Sequence, residues 1–251
     1  MKNRSHLFTS IIIPIILPLA ASISSSLQAS IIFTESFETD GIDSRYFATG
    51  NFSDGYDDYF MRTDGSAGAS GIPDYTGITG SWFWAAEDID ASENVEGVAL
   101  LDFTSISLES VPAIQISIDI GAGTGSAFDS VDDFLLVQYR VDLGDWTTAL
   151  AFQNNGQVYN GPLLQDSDFD GIGDINQLGL ELQSISSAVL PVSGTFMDLR
   201  IDTVMTSGSE AIAFDNIQVM SVPEPNETAL AFAIASILLL LARRFLPRRE
   251  D

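Results

Sequence analysis

The chain has 251 residues, with 35 carboxylates against 10 basic side chains, a formal charge of −25 at pH 7, no cysteine and one histidine, His6. Such a charge repels the phosphates of nucleic acids and anionic lipid head groups. Disulfides, thiolate metal centres and histidine-dependent nucleophilic catalysis are excluded from everything beyond the N-terminal stretch, which leaves carboxylates, hydroxyls, amides and aromatics to carry any chemistry.

In chain order, Lys2 and Arg4 precede an apolar stretch from Leu7 to Ala21, and small residues follow up to Ala29. This is the order of a secretory signal peptide over residues 1–29, cleaved after Ala29 or near Ala21. Pro14 and Pro18 weaken the alternative, a permanent membrane helix. Residues 30–221 are expected to form one ectodomain. Between Ser30 and Val222 stand 31 of the 35 carboxylates and only four arginines, Arg45, Arg62, Arg140 and Arg200. The carboxylates alternate with Phe, Trp, Ile and Leu, which predicts a packed core rather than a disordered acidic segment.

Strand signals recur along this span. The clearest is AIQISIDI, where Ile114, Ile116, Ile118 and Ile120 share one face and Gln115, Ser117 and Asp119 the other. Period-two alternation also marks IIFTESFE from Ile31, SWFWAA from Ser81, GVALLDF from Gly97, FLLVQYRV from Phe134, TFMDLRID from Thr195 and AIAFDNIQV from Ala211. VDLGDW, residues 141–146, predicts a hairpin with Leu143 and Gly144 at its tip, and the Gly-, Ser- and Asp-rich stretch from Asn51 to Gly80 predicts surface loops with at most one short strand. Many short strands without intervening helices predict an all-β fold, a β-sandwich or jelly roll.

The sharpest local motif is DSDFDGIGD. Asp166, Asp168 and Asp170 take the first, third and fifth places of a calcium loop, Gly171 the sixth, Ile172 the seventh with its backbone carbonyl, and Asp174 the ninth. Gln177 stands at the twelfth place instead of a bidentate glutamate, so a further oxygen must come from elsewhere or from water. Calcium is the expected cofactor. Three tryptophans are candidate ligand contacts. Trp82 and Trp84 point together if SWFWAA is a strand, either to stack on sugar rings or to fill the core, while Trp146 follows the hairpin and is expected half exposed. Tyr56, Tyr59 and Tyr75 in the glycine-rich loops are further contact candidates. No short signature singles out a catalytic carboxylate pair, and the expectation is a protein without enzymatic activity.

The chain closes on VPEPNETALAFAIASILLLLARRFLPRRED. The uncharged run from Ala229 to Ala242 is short for a bilayer that normally needs about 20 apolar residues. The arginines behind it, with Arg243 and Arg244 first, predict a single marginal transmembrane helix, about residues 228–242, with its C-terminus inside.

Three resemblances add to this reading. Val222, Pro223, Glu224 and Pro225, the apolar run and the basic end together resemble the PEP-CTERM sorting signal of exported bacterial proteins, which makes residues 222–251 a sorting tail. The resemblance implies an exosortase and the secretion machinery as partners, transient residence at the inner membrane of a Gram-negative bacterium, and delivery to the cell surface or extracellular matrix. Asn226 stands where serine is frequent in that signal. The loop at Asp166 resembles those of thrombospondin type 3 repeats and dockerins over nine residues. The opening ESFE and closing AFDNIQV resemble jelly-roll domains of the carbohydrate-binding type, which implies a structural calcium held by Asp215 with Glu38 or Asp40. Together these lead to the expectation of a calcium-stabilised structural or exopolysaccharide-associated component of a biofilm matrix. The alternatives are a carbohydrate-binding module with a defined sugar site or a carboxylate-dependent polysaccharide-degrading enzyme.

Overall fold

Ile114, Ile116, Ile118 and Ile120 all point into one core, as the alternation of a half-buried strand requires. In a computed structural model that describes residues 29–223, apart from 67, 95, 96, 124–126, 130 and 131, they belong to one of fourteen β-strands. These are β1 (Ser30–Glu35), β2 (Phe47–Thr49), β3 (Phe52–Ser53), β4 (Tyr59–Thr63), β5 (Phe83–Glu87), β6 (Ala99–Ser107) and β7 (Ala113–Ala122). They continue with β8 (Phe134–Val141), β9 (Thr147–Asn154), β10 (Leu163–Asp166), β11 (Gln183–Ser186), β12 (Leu190–Pro191), β13 (Phe196–Val204) and β14 (Ile212–Ser221). The predicted signal peptide except Ala29, the predicted tail helix near 228–242, and Glu224, Pro225, Arg243 and Arg244 lie outside the described residues. No helix among the described residues is long and apolar enough to cross a membrane.

The strands form two antiparallel sheets facing one another, the all-β sandwich that the alternation predicts. One runs β11, β7, β14, β5, β4, β3, with β1 also paired to β14 and β12 to β7; the other runs β10, β9, β8, β13, β6, β2. Inward side chains of both sheets make the main core, with Trp84, Phe60, Phe103, Phe152 and Phe214 among its largest members. Burial of such aromatic and branched side chains is the dominant stabilising term, roughly 1.5–3 kcal/mol for each fully buried one.

β14 organises the first sheet. Along one edge it pairs with β7; along the other it pairs first with β5 (Ile212 to Phe214) and then with β1 (Ile217 to Ser221). β5 and β1 therefore share one edge of β14 end to end. The gap between them falls at Asp215 and Asn216, where the register with β7 shifts and Asn216 adopts φ 46°.

The structure corrects three details of the sequence reading. Asn51–Gly80 is not merely surface loop, because β4 lies inside it and Tyr59, Met61, Ala69, Ile72 and Tyr75 build a second small core with Phe83, Ala85, Leu182 and Ala213 on the outer face of the eight-stranded sheet. The face of β7 that carries its polar residues is also covered in part: Ser117 and Asp119 are buried, and Asp119 accepts the Asn216 side-chain amide. The hairpin tip lies one residue earlier than predicted. Gly144 N–H closes the turn onto Val141 O, and Asp142 and Leu143 both take positive φ, the primed geometry that matches the twist of the flanking strands.

Candidate functional site

The DSDFDGIGD loop leaves the end of β10. Asp166 is 1% exposed and folds the loop around its own carboxylate: Oδ1 accepts the N–H groups of Phe169 and Asp170, and Oδ2 that of Gly171. This winding places Phe169 at φ 61° and Gly171 at φ 95°. Asp166, Asp168 and Asp170 each bring a carboxylate oxygen to within 4.8 Å of one another. The Asp170 charge pushes Asp168 above the ordinary carboxylate range, a repulsion that a dication would relieve. Hard oxygen donors clustered at this spacing fit calcium. Asp174 is not part of that cluster: its two oxygens take the Ser167 N–H at 2.9 Å and the Ser167 hydroxyl at 2.7 Å. Ile172 N–H is capped by Asp170.

The structure brings Glu38 and Asp215 to one segment, Thr79 to Trp82, which fills the gap between β1 and β5. Asp215 is 0% exposed; its Oδ2 accepts Thr79 N–H at 2.8 Å and its Oδ1 accepts Asn216 N–H at 2.6 Å. Burial pushes its carboxyl up to about 7, against the pull of those two donors. Glu38 Oε1 accepts the N–H groups of Trp82 and Ser81, which hold its carboxyl below the ordinary value. Gly80, between them, has φ +88°, and a Cβ there would lie 2.3 Å from the Glu38 carboxyl, so glycine is required. The two carboxylates brace backbone across the gap, and Asp40 stays apart, capping Ile42 N–H.

The tryptophans separate into three situations. Trp84 is 1% exposed, with Phe60, Tyr46 and Phe37 ring centroids 5.1, 5.6 and 5.7 Å from its own. Of the two roles expected of it, core filling is the one the structure shows, and its burial rules out an exposed stacking platform. Trp82 precedes β5 and is half-buried under the Arg62 guanidinium, 3.6 Å from the ring centroid. Trp146, also half-buried, packs its ring against the Arg140 and Arg200 guanidiniums, 4.6 and 4.4 Å from its centroid. Those arginines are fixed in turn by carboxylates of neighbouring strands, Arg140 by Asp198 at 2.9 Å and Arg200 by Asp102 at 2.6 Å. β8, β13 and β6 are thus tied by two cross-strand ion pairs with an indole laid over both. Of the tyrosines, Tyr56 is exposed, whereas Tyr59 and Tyr75 are buried and cannot serve as surface contacts.

This arrangement occupies the outer face of the six-stranded sheet. Unlike the outer face of its neighbour, it carries no second core among the described residues: Leu136, Gln138, Arg140, Arg200 and Asp202 all stay partly exposed. Toward β10 the face dips into a depression of about 300 Å³ lined by Leu136, Thr148, Gln153, Asp166, Phe169 and Asp170. The acidic loop therefore forms one wall of it.

No protein-family model matches the chain, and no curated protein matches it. Solved structures do. The K3 cleaved adhesin domain of Lys-gingipain from Porphyromonas gingivalis is 15% identical, covering 78% of this chain and 100% of that one, with a TM-score of 0.43. The CBM22-1 xylan-binding domain of Paenibacillus barcinonensis Xyn10C is 17% identical over 78% and 97%, with a TM-score of 0.38. The globular domain of T. cruzi calreticulin is 10% identical over 81% and 92%, at 0.41.

Two further acidic groups were missed by sequence reasoning. Asp54, Asp57 and Asp58 gather in the turn before β4, and Asp129, Asp133 and Glu210 meet at the far end of β8 and β14. In the second group burial and the facing Asp133 push Glu210 up to about 8, while both carboxylates hold the Thr206 N–H. The first group is local enough to be visible as DGYDD; the second joins residues remote in the chain and left no local signal. Of the sorting residues, Val222 donates its N–H to Ala113 O at 2.8 Å and Pro223 follows it out of the sheet.

Proposed function

We propose that this chain is an exported, calcium-braced β-sandwich that associates with polysaccharide outside the cell through the uncovered face of its six-stranded sheet. The observation that carries this reading is Trp146, held by Arg140 and Arg200 on the partly exposed outer face of the six-stranded sheet. An indole fixed in this way offers apolar area to the C–H face of a sugar ring, and the surrounding Asp, Arg and Gln side chains offer hydrogen bonds to hydroxyls. The depression beside Phe169 supports a second form of the reading, a carbohydrate-binding module with a defined groove. Calcium enters through the acidic loop, since a cation held by Asp166, Asp168 and Asp170 would stiffen the wall that carries Phe169. The order of signal-like and tail segments supports export, with exosortase handling of the tail and delivery to the surface or matrix. In this reading the chain is a binding and structural body without catalytic activity.

The test is sedimentation of the full chain with exopolysaccharide in millimolar calcium and in chelator. Retention should fall in chelator, and Trp146→Ala should weaken it roughly tenfold, the effect of losing about 1.4 kcal/mol. Retention indifferent to both would overturn the proposal, and release of reducing sugar would replace it with the enzyme.

A further inference from the structure

Six places in the chain set a glycine behind an asparagine or aspartate: Asp40-Gly41, Asp54-Gly55, Asp64-Gly65, Asn155-Gly156, Asn160-Gly161 and Asp170-Gly171. Such a pair carries its own reaction, because a glycine without a Cβ lets its nitrogen swing onto the side-chain carbonyl carbon of the residue before it and close a five-membered ring. A glycine N–H that already donates a hydrogen bond must first give that bond up. In five of the six pairs it does donate. Gly41 reaches the Tyr46 hydroxyl at 3.1 Å, Gly55 the Ser53 hydroxyl and Gly65 the Thr63 hydroxyl at 3.0 Å, Gly171 Asp166 Oδ2 at 2.9 Å and Gly161 the Phe128 carbonyl at 2.9 Å. The Gly156 N–H meets no acceptor among the described residues.

The two asparagine pairs lie in one loop, between β9 and β10, and differ in what governs this reaction. Gly161 is buried, exchanges two hydrogen bonds with Phe128, and is so enclosed that a Cβ there would stand 2.2 Å from Asn154 Nδ2. Gly156 is exposed, with φ +84°. Asn155 Oδ1 accepts the Gln157 N–H at 3.3 Å, a long contact that draws electron density from the side-chain carbonyl. We propose that Asn155 is a site of spontaneous covalent modification, deamidated through a succinimide while Asn160 in the same loop is preserved. The Gly156 nitrogen loses its proton to solvent and bonds to Asn155 Cγ; the Cγ–Nδ2 bond breaks, and the amide nitrogen takes up a proton and leaves as ammonia. Water then opens the ring at either carbonyl, giving aspartate, or isoaspartate in which the main chain runs through Cγ. Nothing is oxidised or reduced. Either product places a new negative charge at the joint between β9 and the acidic loop, since Asn154 O accepts the Gly173 N–H at 2.8 Å and Gly156 abuts Ile172. Isoaspartate also lengthens the main chain there by a methylene.

The test ages full-length protein in detergent in warm, mildly alkaline buffer and samples it over weeks. A brief chymotrypsin digest, cutting after Phe152 and Tyr159, separates the two asparagines, Asn155 in the fragment 153–159 and Asn160 in the next. The first fragment should exchange the mass of NH2 for that of OH at Asn155, with isoaspartate among the products and ammonia released, roughly tenfold or more faster than the second, because Asn160 reacts only when its bridge to Phe128 opens. In denaturant, where neither glycine is held, the gap should collapse. Asn155→Gln, whose longer side chain would have to close a six-membered ring, should remain unmodified at that position. An unreacted Asn155, equal rates at the two asparagines in the folded protein, aspartate without isoaspartate, or a gap that survives in denaturant would each overturn the proposal.

Discussion

Leu143 sits at the tip of the β8–β9 hairpin with φ 61° and 66% of its surface exposed. A left-handed conformation costs a non-glycine residue roughly 1–2 kcal/mol, and the exposed side chain recovers little of it by packing. Leu143→Gly should therefore stabilise the protein by about 0.5–1 kcal/mol, the strain relieved outweighing the extra freedom of glycine in the unfolded chain. Chemical denaturation would check this, and a lower midpoint at unchanged slope would contradict it. At this scale the sequence spoke unevenly. DSDFDGIGD was legible because spacing, turn and donor chemistry all lie within nine residues. Trp146 was legible because a residue just past a hairpin tip stays close to solvent. Trp84 looked the same as Trp82 in one dimension and differs only through Phe37, Tyr46 and Phe60, which arrive from three separate segments.

Among the elements, β4 and β5 bury a carboxyl between them. Glu87 pairs across the strands with Tyr59, lies under Tyr75, and is faced by Asp57, Asp58 and Asp88. The Tyr59 hydroxyl and Glu87 Oε2 are both buried, and the Tyr59 side chain pulls the Glu87 value down against the effect of burial. Burial pushes the Glu87 carboxyl from 4.5 up to about 7, and the neighbouring carboxylates add to the rise. A folded-state value above the unfolded one means that the folded protein holds the extra proton. The stabilisation is complete below about pH 4.5 and is lost as pH rises through about 7, on the order of 2 kcal/mol after screening. Glu87→Gln should flatten that part of the pH profile of the melting temperature between pH 5 and 8; an unchanged slope would show that Glu87 does not cause it. β4 itself was hidden because both of its faces are covered, which erases alternation, and because glycine-rich loops surround it. Six of the seven legible strands expose part of one face, whereas β5, buried at every position like most of β4, was legible through the alternation of SWFWAA alone. Asp215 and Glu38 were legible only by resemblance, since nothing local announces that β1 and β5 meet end to end along β14.

For the whole molecule, charge sets the expectation. Thirty-one carboxylates against four arginines over residues 30–222 repel one another, and three groups of carboxylates, among the described residues, converge within 4.8 Å. Calcium at 100 times its dissociation constant adds about 2.7 kcal/mol per site. For a body of this size that corresponds to a melting temperature higher by roughly 5–10 °C per site in millimolar calcium than in chelator. Asp168→Ala with Asp170→Ala should remove part of the shift and one bound ion by equilibrium dialysis. Equal melting temperatures in both buffers would end the case for calcium bracing.

Ser30 and Ser221 form the same rung, with their hydroxyl oxygens 2.8 Å apart, so the sandwich takes in and gives out its chain at one pole. Tension applied between those two points would not shear the sheets. It would unzip β1 from β14 one rung after another, at low force, starting at the Ser30–Ser221 rung. If the load enters instead at Ser221 and leaves through the other sheet, it passes along β14, which has neighbours on both edges.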